Sequence, residues 1–124
     1  MITIRSAAPE LKDIFVFASD PIEPYDRLIK AVVYVESRGD TLAYNLIEEA
    51  AGAFQIRPIR LRDYNQRTRK NYKLKDRYNF KISKEIFLYY ATQLNFWNYE
   101  TIAKNWNGSG KETLKYWEKV KIQL

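Results

Sequence analysis

The chain has 124 residues, 46% of them hydrophobic and 15% aromatic, which suits one domain with a packed core and excludes a disordered chain. Cysteine and histidine are both absent, so a disulfide framework, Ser-His and Cys-His nucleophiles and most zinc sites are excluded. Any acid–base chemistry must therefore use carboxylates, tyrosines or lysines. The net charge of +6 favours an acidic partner such as nucleic acid, anionic lipid or a wall polymer, although it also serves solubility alone.

The first part of the chain is predicted to be an arm. Residues 5–24 contain four acids, three prolines and a single apolar patch at 14–17. We expect residues 1–23 to pack as an N-terminal arm on a domain that spans 24–124. A basic region followed by a long apolar run is missing at the start, so no signal peptide is predicted. No run of about 18 apolar residues occurs anywhere, and no membrane span is predicted.

The next segments predict two helices separated by irregular chain. Pro24 suits a first helical turn, and the run from Tyr25 to Ser37 is apolar on nearly every face, which is typical of a buried central helix. Gly39 is well placed to end it. Residues 40–57 are expected to be irregular, with 52–56 as a short strand or a tight turn. Pro58 then opens a helix over 59–68, whose basic face is formed by Arg57, Arg60, Arg62 and Arg67.

The remaining segments complete a mainly α domain. Residues 69–82 are predicted to be a loop, followed by a helix that Ser83 caps and that runs to Leu94. A short helix over 99–105 and a turn over 107–110 follow. The last helix is predicted over 112–122. Its residues expected to face or cover the core are Leu114, Trp117, Val120 and Lys121, and those on the stripe of the third helix are Ile86, Phe87, Tyr90 and Leu94.

One acidic residue, Glu36, stands out for its position. It ends the apolar stretch 28–35 and is followed by Ser37-Arg38-Gly39-Asp40. Apolar surroundings and the negative end of a helix dipole both disfavour the charged carboxylate, so they raise its pKa. A carboxylic acid that keeps its proton near neutral pH is suited to general acid catalysis.

Three segments in order carry a family resemblance. Glu36-Ser37 ends the buried helix, Gly52-Ala53-Phe54-Gln55-Ile56-Arg57-Pro58 follows, and Asn105-Trp106-Asn107-Gly108 comes near the end of the chain. This ordered set resembles the lysozyme-like superfamily, in the branch of lytic transglycosylases and goose-type lysozymes, over roughly residues 24–120. The resemblance implies a lysozyme-like fold whose central helix ends at the catalytic glutamate.

The resemblance also implies an activity and roles for individual residues. Glu36 would protonate the glycosidic oxygen between N-acetylmuramic acid and N-acetylglucosamine in peptidoglycan, and Ser37 would help to orient the site. Gln55 and Asn107 would line the cleft near the cleaved bond. No metal or cofactor is implied, and the work would be done in a periplasm or at a cell envelope of bacterial or phage origin. The oligomeric state is left open.

The aromatic residues near these motifs suit the C–H faces of sugars. Those considered for this role are Phe54, Tyr89, Tyr90 and Trp106, although aromatics are more often core residues. Trp106 departs from the family pattern, in which a tyrosine often precedes the asparagine and its hydroxyl can reach the catalytic acid. An indole donates one hydrogen bond and accepts none. The choice between a transglycosylase and a hydrolase therefore stays open.

Three alternatives remain beside this interpretation. Glu48 or Glu49 could act as a second carboxylate that activates water, as inverting glycosidases require, although paired loop acids are usually solvated. Asp40 is expected to cap the turn after the first helix. The basic run 57–75, with Tyr64, Tyr72 and Tyr78, could bind nucleic acid, but no recognised motif accompanies it and no nucleic-acid partner is expected. A lysozyme-like module that binds glycan without cutting it is the other competing class.

Overall fold

A computed structural model describes residues 25–93, 98–108 and 112–124. The arm predicted over residues 1–23 and the predicted helix end at Leu94 lie outside these ranges. Within them the protein is mainly helical, as the sequence predicts. The helices are α1 (Asp26–Ser37), α2 (Pro58–Thr68), α3 (Phe80–Thr92), α4 (Tyr99–Asn107) and α5 (Glu112–Gln123). None of the helices in these ranges is long and apolar enough to cross a membrane.

A small hairpin occupies the segment between α1 and α2. Strand β1 (Tyr44–Asn45) pairs antiparallel with β2 (Ala50–Ala51), and Ala51 forms a further bridge with Ile56. The segment over residues 40–57, predicted to be irregular, therefore contains a short antiparallel β-hairpin. Asp40 accepts a hydrogen bond from the Leu42 backbone N–H at 2.9 Å, which confirms its predicted role in the turn after α1.

The core forms where α1 packs on α5, α5 on α4, and α4 on α3. Leu28 and Val32 of α1 are fully buried, whereas Arg27 and Lys30 are exposed, so α1 is buried on one face and not on nearly every face. Near the C-terminus of α1 the Tyr34 side chain is 43% exposed. This end of the helix is therefore less enclosed than the sequence predicts. The largest fully buried side chains elsewhere are Phe54, Ile56, Ile86, Phe87, Ile102 and Val120.

The start of α3 corrects one sequence prediction. Asn79, not Ser83, is the N-cap, and its side-chain oxygen accepts a hydrogen bond from the Ile82 backbone N–H at 3.0 Å. Ser83 lies one turn inside the helix, is fully buried and donates a 2.8 Å hydrogen bond to the Arg77 carbonyl oxygen. The preceding segment contains a 3₁₀ helix, Leu74–Tyr78, where the sequence predicted only a loop.

The last two helices also differ in detail from the prediction. α4 continues to Asn107, so this residue ends a helix instead of opening a turn, and Gly108 follows with a φ of 118°. In α5, Trp117 and Val120 are buried as predicted. The prediction for Leu114 and Lys121 is wrong, because both are exposed, and Tyr116 takes the inward position instead. Tyr116 and Val120 are four residues apart and so share one helix face.

Candidate active site

Glu36 lies one residue before the end of α1, where the helix gives way to a turn. Arg38 follows in the left-handed conformation, at φ 56° and ψ 27°, and its backbone N–H caps the Tyr34 carbonyl. The left-handed cap of α1 is therefore Arg38, one residue before Gly39, which the sequence predicts as the stop. Gly39 also has a positive φ, 82°. This geometry turns the chain away and leaves the half-buried Glu36 side chain at the edge of the core.

The Glu36 carboxyl is held by a tyrosine from the far end of the chain. The Tyr116 hydroxyl donates a 2.9 Å hydrogen bond to Glu36 Oε2, and the Tyr116 side chain is buried. Burial raises the pKa of Glu36 to about 7, against the lowering effect of this hydrogen bond. The charge of Glu48 raises it further. Near neutral pH, Glu36 is therefore divided between acid and carboxylate, as a group that both donates and accepts protons requires.

Ser37 fixes the end of α1 to the segment that carries Gln55. Its hydroxyl donates to the Ala53 carbonyl oxygen at 2.8 Å and lies 3.1 Å from the Val33 carbonyl oxygen. Gln55 is in the left-handed conformation, with φ 53°, and its side-chain nitrogen donates to the carbonyl oxygens of Gly52 and Ala43. The amide nitrogen is thus committed to the hairpin, which fixes the orientation of the Gln55 side chain in the cleft wall.

A buried arginine holds the hairpin against the rest of the protein. The Arg77 guanidinium donates to the carbonyl oxygens of Glu49 at 2.7 Å, Ile56 at 2.8 Å and Leu74 at 2.9 Å. The Arg77 carbonyl oxygen in turn lies against Gly52, where an added Cβ would meet it at 2.0 Å. Gly52 also has a φ of 83°, so this close approach requires glycine on two counts.

Trp106 and Asn107 form the wall opposite the hairpin, at the end of α4. The Trp106 indole N–H donates to the Phe54 carbonyl oxygen at 3.1 Å, which ties α4 to the hairpin segment. Asn107 is exposed, and its amide nitrogen lies 3.5 Å from the Thr113 hydroxyl. Together with Glu36 and Gln55, these residues line a cleft of about 190 Å³.

Basic side chains complete this cleft. Arg60 of α2 is half-buried, and its guanidinium carbon lies 4.5 Å from the centre of the Trp106 ring and 4.7 Å from that of Tyr90. It also donates to the Trp106 carbonyl oxygen at 3.1 Å. Arg57, at the N-cap of α2, pairs with Glu48 across the cleft mouth at 3.0 Å. The cleft therefore combines the Glu36 carboxyl with the Glu48–Arg57 ion pair, the fixed cation of Arg60 and neutral amides.

The structure separates the predicted site residues into two groups. Glu36, Gln55, Trp106 and Asn107 line one cleft. Phe54 does not, because its side chain is fully buried against Phe87 and other core aromatics, so the prediction that its ring contacts a ligand is wrong. Two others do not line the Glu36 cleft: Ser37 hydrogen-bonds to backbone carbonyl oxygens beside it, and Tyr90 lines a neighbouring depression.

The two acids predicted as alternatives also separate. Glu48 lines the cleft with Glu36, whereas Glu49 lies outside its lining, exposed and with a φ of 56°. Of the tyrosines considered for base stacking, Tyr64 is buried and its ring packs on Tyr72 at 6.1 Å. Both hydroxyls donate to Glu85, so these two side chains already have partners.

Two residues of the site were missed from the sequence. Tyr116 supplies the hydroxyl that donates to the Glu36 carboxyl. Its spacing of four from Val120 is the signal that would have placed it on the inner face of α5. Arg60 was recognised only as part of a basic surface, since its stacking on Trp106 depends on how α2 and α4 pack.

Within the described ranges, no group of three or more acidic side chains is arranged to hold a metal ion, and the sequence has neither histidine nor cysteine. No protein-family model, curated protein or solved structure matches this chain. The cleft that Glu36, Gln55 and Asn107 line is therefore the feature that bears on function.

Proposed function

We propose that this protein is a peptidoglycan glycosidase with a lysozyme-like fold. It cleaves the β-1,4 bond between N-acetylmuramic acid and N-acetylglucosamine, with Glu36 as general acid and then general base. The observation that carries the proposal is the half-buried Glu36 carboxyl, with a pKa of about 7, in a cleft it shares with Gln55 and Asn107. These residues come from three segments of the chain that resemble the motifs of one enzyme family.

Protonated Glu36 donates its proton to the glycosidic oxygen as the bond from that oxygen to the sugar C1 breaks. The oxocarbenium-like charge on C1 is stabilised by the substrate's own N-acetyl group. The Glu36 carboxylate then takes a proton from the attacking hydroxyl. Attack by the C6 hydroxyl of the same sugar gives a 1,6-anhydro end, and attack by water gives a reducing end.

The other cleft residues orient the substrate and the acid. Gln55 presents its amide oxygen, because its nitrogen donates to the hairpin, and Asn107 presents an exposed amide; both suit sugar hydroxyls and acetamides. Trp106 is only 7% exposed and Arg60 stacks on its ring, so Trp106 orients Arg60 and does not offer a ring face to a sugar. Tyr116 is a positioning residue, because its hydroxyl holds Glu36 Oε2, and burial together with the Glu36 charge raises the pKa of Tyr116 and keeps it a donor.

Glu48 supplies a second carboxylate for the hydrolytic route. It lines the same cleft as Glu36 and pairs with Arg57, which supports a role in activating a water molecule in an inverting reaction. A Glu48→Gln variant separates the two routes. Hydrolysis that uses Glu48 falls by about a hundredfold in this variant, within the usual range for general-base catalysis, whereas formation of anhydro ends is unchanged.

The decisive experiment is digestion of purified peptidoglycan, with the products identified by mass. The wild-type protein is expected to release muropeptides, and Glu36→Gln almost none. Glu49→Gln is the matched control, because it removes an exposed acid of the β1–β2 hairpin that does not line the cleft. If the wild type binds the wall but does not cut it, the protein is a glycan-binding module. Salt-sensitive retention on DNA without wall binding would favour the nucleic-acid alternative.

The basic charge of +6 supports this choice of substrate, since it attracts the protein to an acidic wall polymer. The substrate in turn suggests a periplasm or cell envelope as the place of action, and a bacterial or phage origin. No metal or cofactor enters the reaction as proposed.

A further inference from the structure

A second depression adjoins the catalytic cleft and shares Arg60 with it. It has a volume of about 340 Å³ and is lined by Arg60, Arg67, Tyr89, Tyr90, Gln93 and Asn105. We refer to it as the side depression. Because Arg60 also lines the Glu36 cleft, the two cavities are neighbours on either side of one side chain.

The chemistry of the side depression suits an anion. Two guanidinium groups line it, and no acidic side chain of the described residues does. Asp63 does not line the side depression, but it accepts hydrogen bonds from two residues that do: from Arg67 Nε at 2.8 Å and from the Tyr90 hydroxyl at 2.5 Å. Tyr89 is a second side-chain partner of Arg67, beside Asp63. The planar guanidinium has five N–H donors, so donors beyond these contacts can bind a carboxylate. Gln93 and Asn105 are exposed and add neutral amides.

Arg60 is held in a fixed orientation between the two depressions. Its guanidinium stacks on both Tyr90 and Trp106 and donates to the Trp106 carbonyl oxygen. Burial lowers the pKa of Arg60, but an arginine stays charged at any physiological pH. A cation fixed in this way loses little conformational entropy when it binds an anion, which favours recognition of a charged branch.

We infer that the side depression binds a carboxylate of the peptide stem carried by the N-acetylmuramic acid residue. This inference rests on the proposed function. The stem is the branch of a peptidoglycan strand, it leaves the glycan beside the cleaved bond, and its residues carry free carboxylates. The side depression lies beside the cleft and is lined by two guanidinium groups, which match the carboxylates of a short acidic peptide better than they match another neutral sugar.

The test compares three substrates prepared from one batch of sacculi. The first is intact, the second has its stem carboxylates converted to amides, and the third has its stems removed by an amidase. The variant is Arg67→Gln, because Arg67 lines the side depression and not the Glu36 cleft. The matched control is Arg62→Gln, which removes the same charge from an exposed position of α2 that lines neither of the two.

Arg67→Gln is expected to slow cleavage of intact sacculi about tenfold, the factor that corresponds to one charge-assisted hydrogen bond. It should leave cleavage of the amidated and stripped substrates within about twofold of wild type. Arg62→Gln should stay within the same limit on all three substrates. Arg67→Lys should restore part of the rate on intact sacculi, because it returns the charge without the planar fork.

An equal loss on all three substrates, or no loss on intact sacculi, overturns the assignment. An equal loss on intact and stripped sacculi would place Arg67 on the glycan instead of the stem, and it overturns the assignment as well. In each of these results the wild type still cuts intact sacculi, so the proposed glycosidase function stands. If the wild type cuts none of the three substrates, the proposed function fails and this inference fails with it.

Discussion

Replacement of Glu36 by glutamine should make the protein more stable at neutral pH and above while it removes activity. Burial raises the pKa of Glu36 from the ordinary 4.5 to about 7. In the unfolded chain the carboxyl ionises near its ordinary pKa. Between these two pH values the folded protein therefore binds more protons than the unfolded chain, and its stability falls as the pH rises.

The size of this effect follows from the two pKa values. A tenfold change in a proton dissociation constant is worth about 1.4 kcal/mol, so the full cost of ionising Glu36 in the folded protein is about 3 kcal/mol. Between pH 5 and pH 7.5 the wild type should lose about 2 kcal/mol of its free energy of unfolding. The sequence has no histidine or cysteine that would titrate in this window. Asp63 and Glu85 titrate below it, because hydrogen bonds lower the pKa of each.

The assay is urea unfolding of the wild type, Glu36→Gln and the control Glu49→Gln at pH 5, 6 and 7.5. The wild type and the control should lose the same free energy of unfolding over this range, and Glu36→Gln should be nearly flat. Parallel slopes for all three proteins would refute the reasoning, since Glu36 would then ionise as readily in the folded state as in the unfolded chain.

Three further predictions concern the residues that support the site. Tyr116→Phe removes the hydrogen bond that lowers the pKa of Glu36, so the loss of wall-cleaving activity at alkaline pH should move to higher pH. Gly52→Ala forces a Cβ against the Arg77 carbonyl and should cost about 3 kcal/mol in urea unfolding. Gly39→Ala, at a similar φ with open space around it, should cost only about 1 kcal/mol. Arg77→Met removes the guanidinium donor from three carbonyl oxygens, of which Ile56 keeps the Ala51 N–H, and should cost about 3 kcal/mol.

Each of these predictions has a result that contradicts it. An unchanged pH profile for Tyr116→Phe would mean that its hydroxyl does not act on the Glu36 carboxyl. Equal costs for the two glycine variants would show that the positive φ, and not the contact with Arg77, dominates at Gly52. A loss below about 1 kcal/mol for Arg77→Met would show that water replaces the guanidinium at those carbonyls.

Local patterns in the sequence were sufficient for the mainly helical class and for the position of Glu36. The apolar run 28–35, Pro58 at the start of α2 and the spacing of Trp117 and Val120 each depend on neighbours within a few residues. The cap of α3 was misplaced because Asn79 and Ser83 are both good N-caps by residue type. In the folded protein the Ser83 hydroxyl donates to the Arg77 carbonyl oxygen, and Asn79 accepts from the Ile82 N–H as the cap. The first of these contacts depends on the tertiary fold.

The sequence by itself determined which residue types are present for chemistry: carboxylates and tyrosines without histidine or cysteine, and an acid at the end of a buried helix. Only the tertiary structure decided which partners reach that acid. Tyr116, 80 positions away, and Arg60, on a helix that packs beside Trp106, become neighbours through contacts between elements. Such contacts depend on the joint packing of several helices, and no periodicity within one segment encodes them.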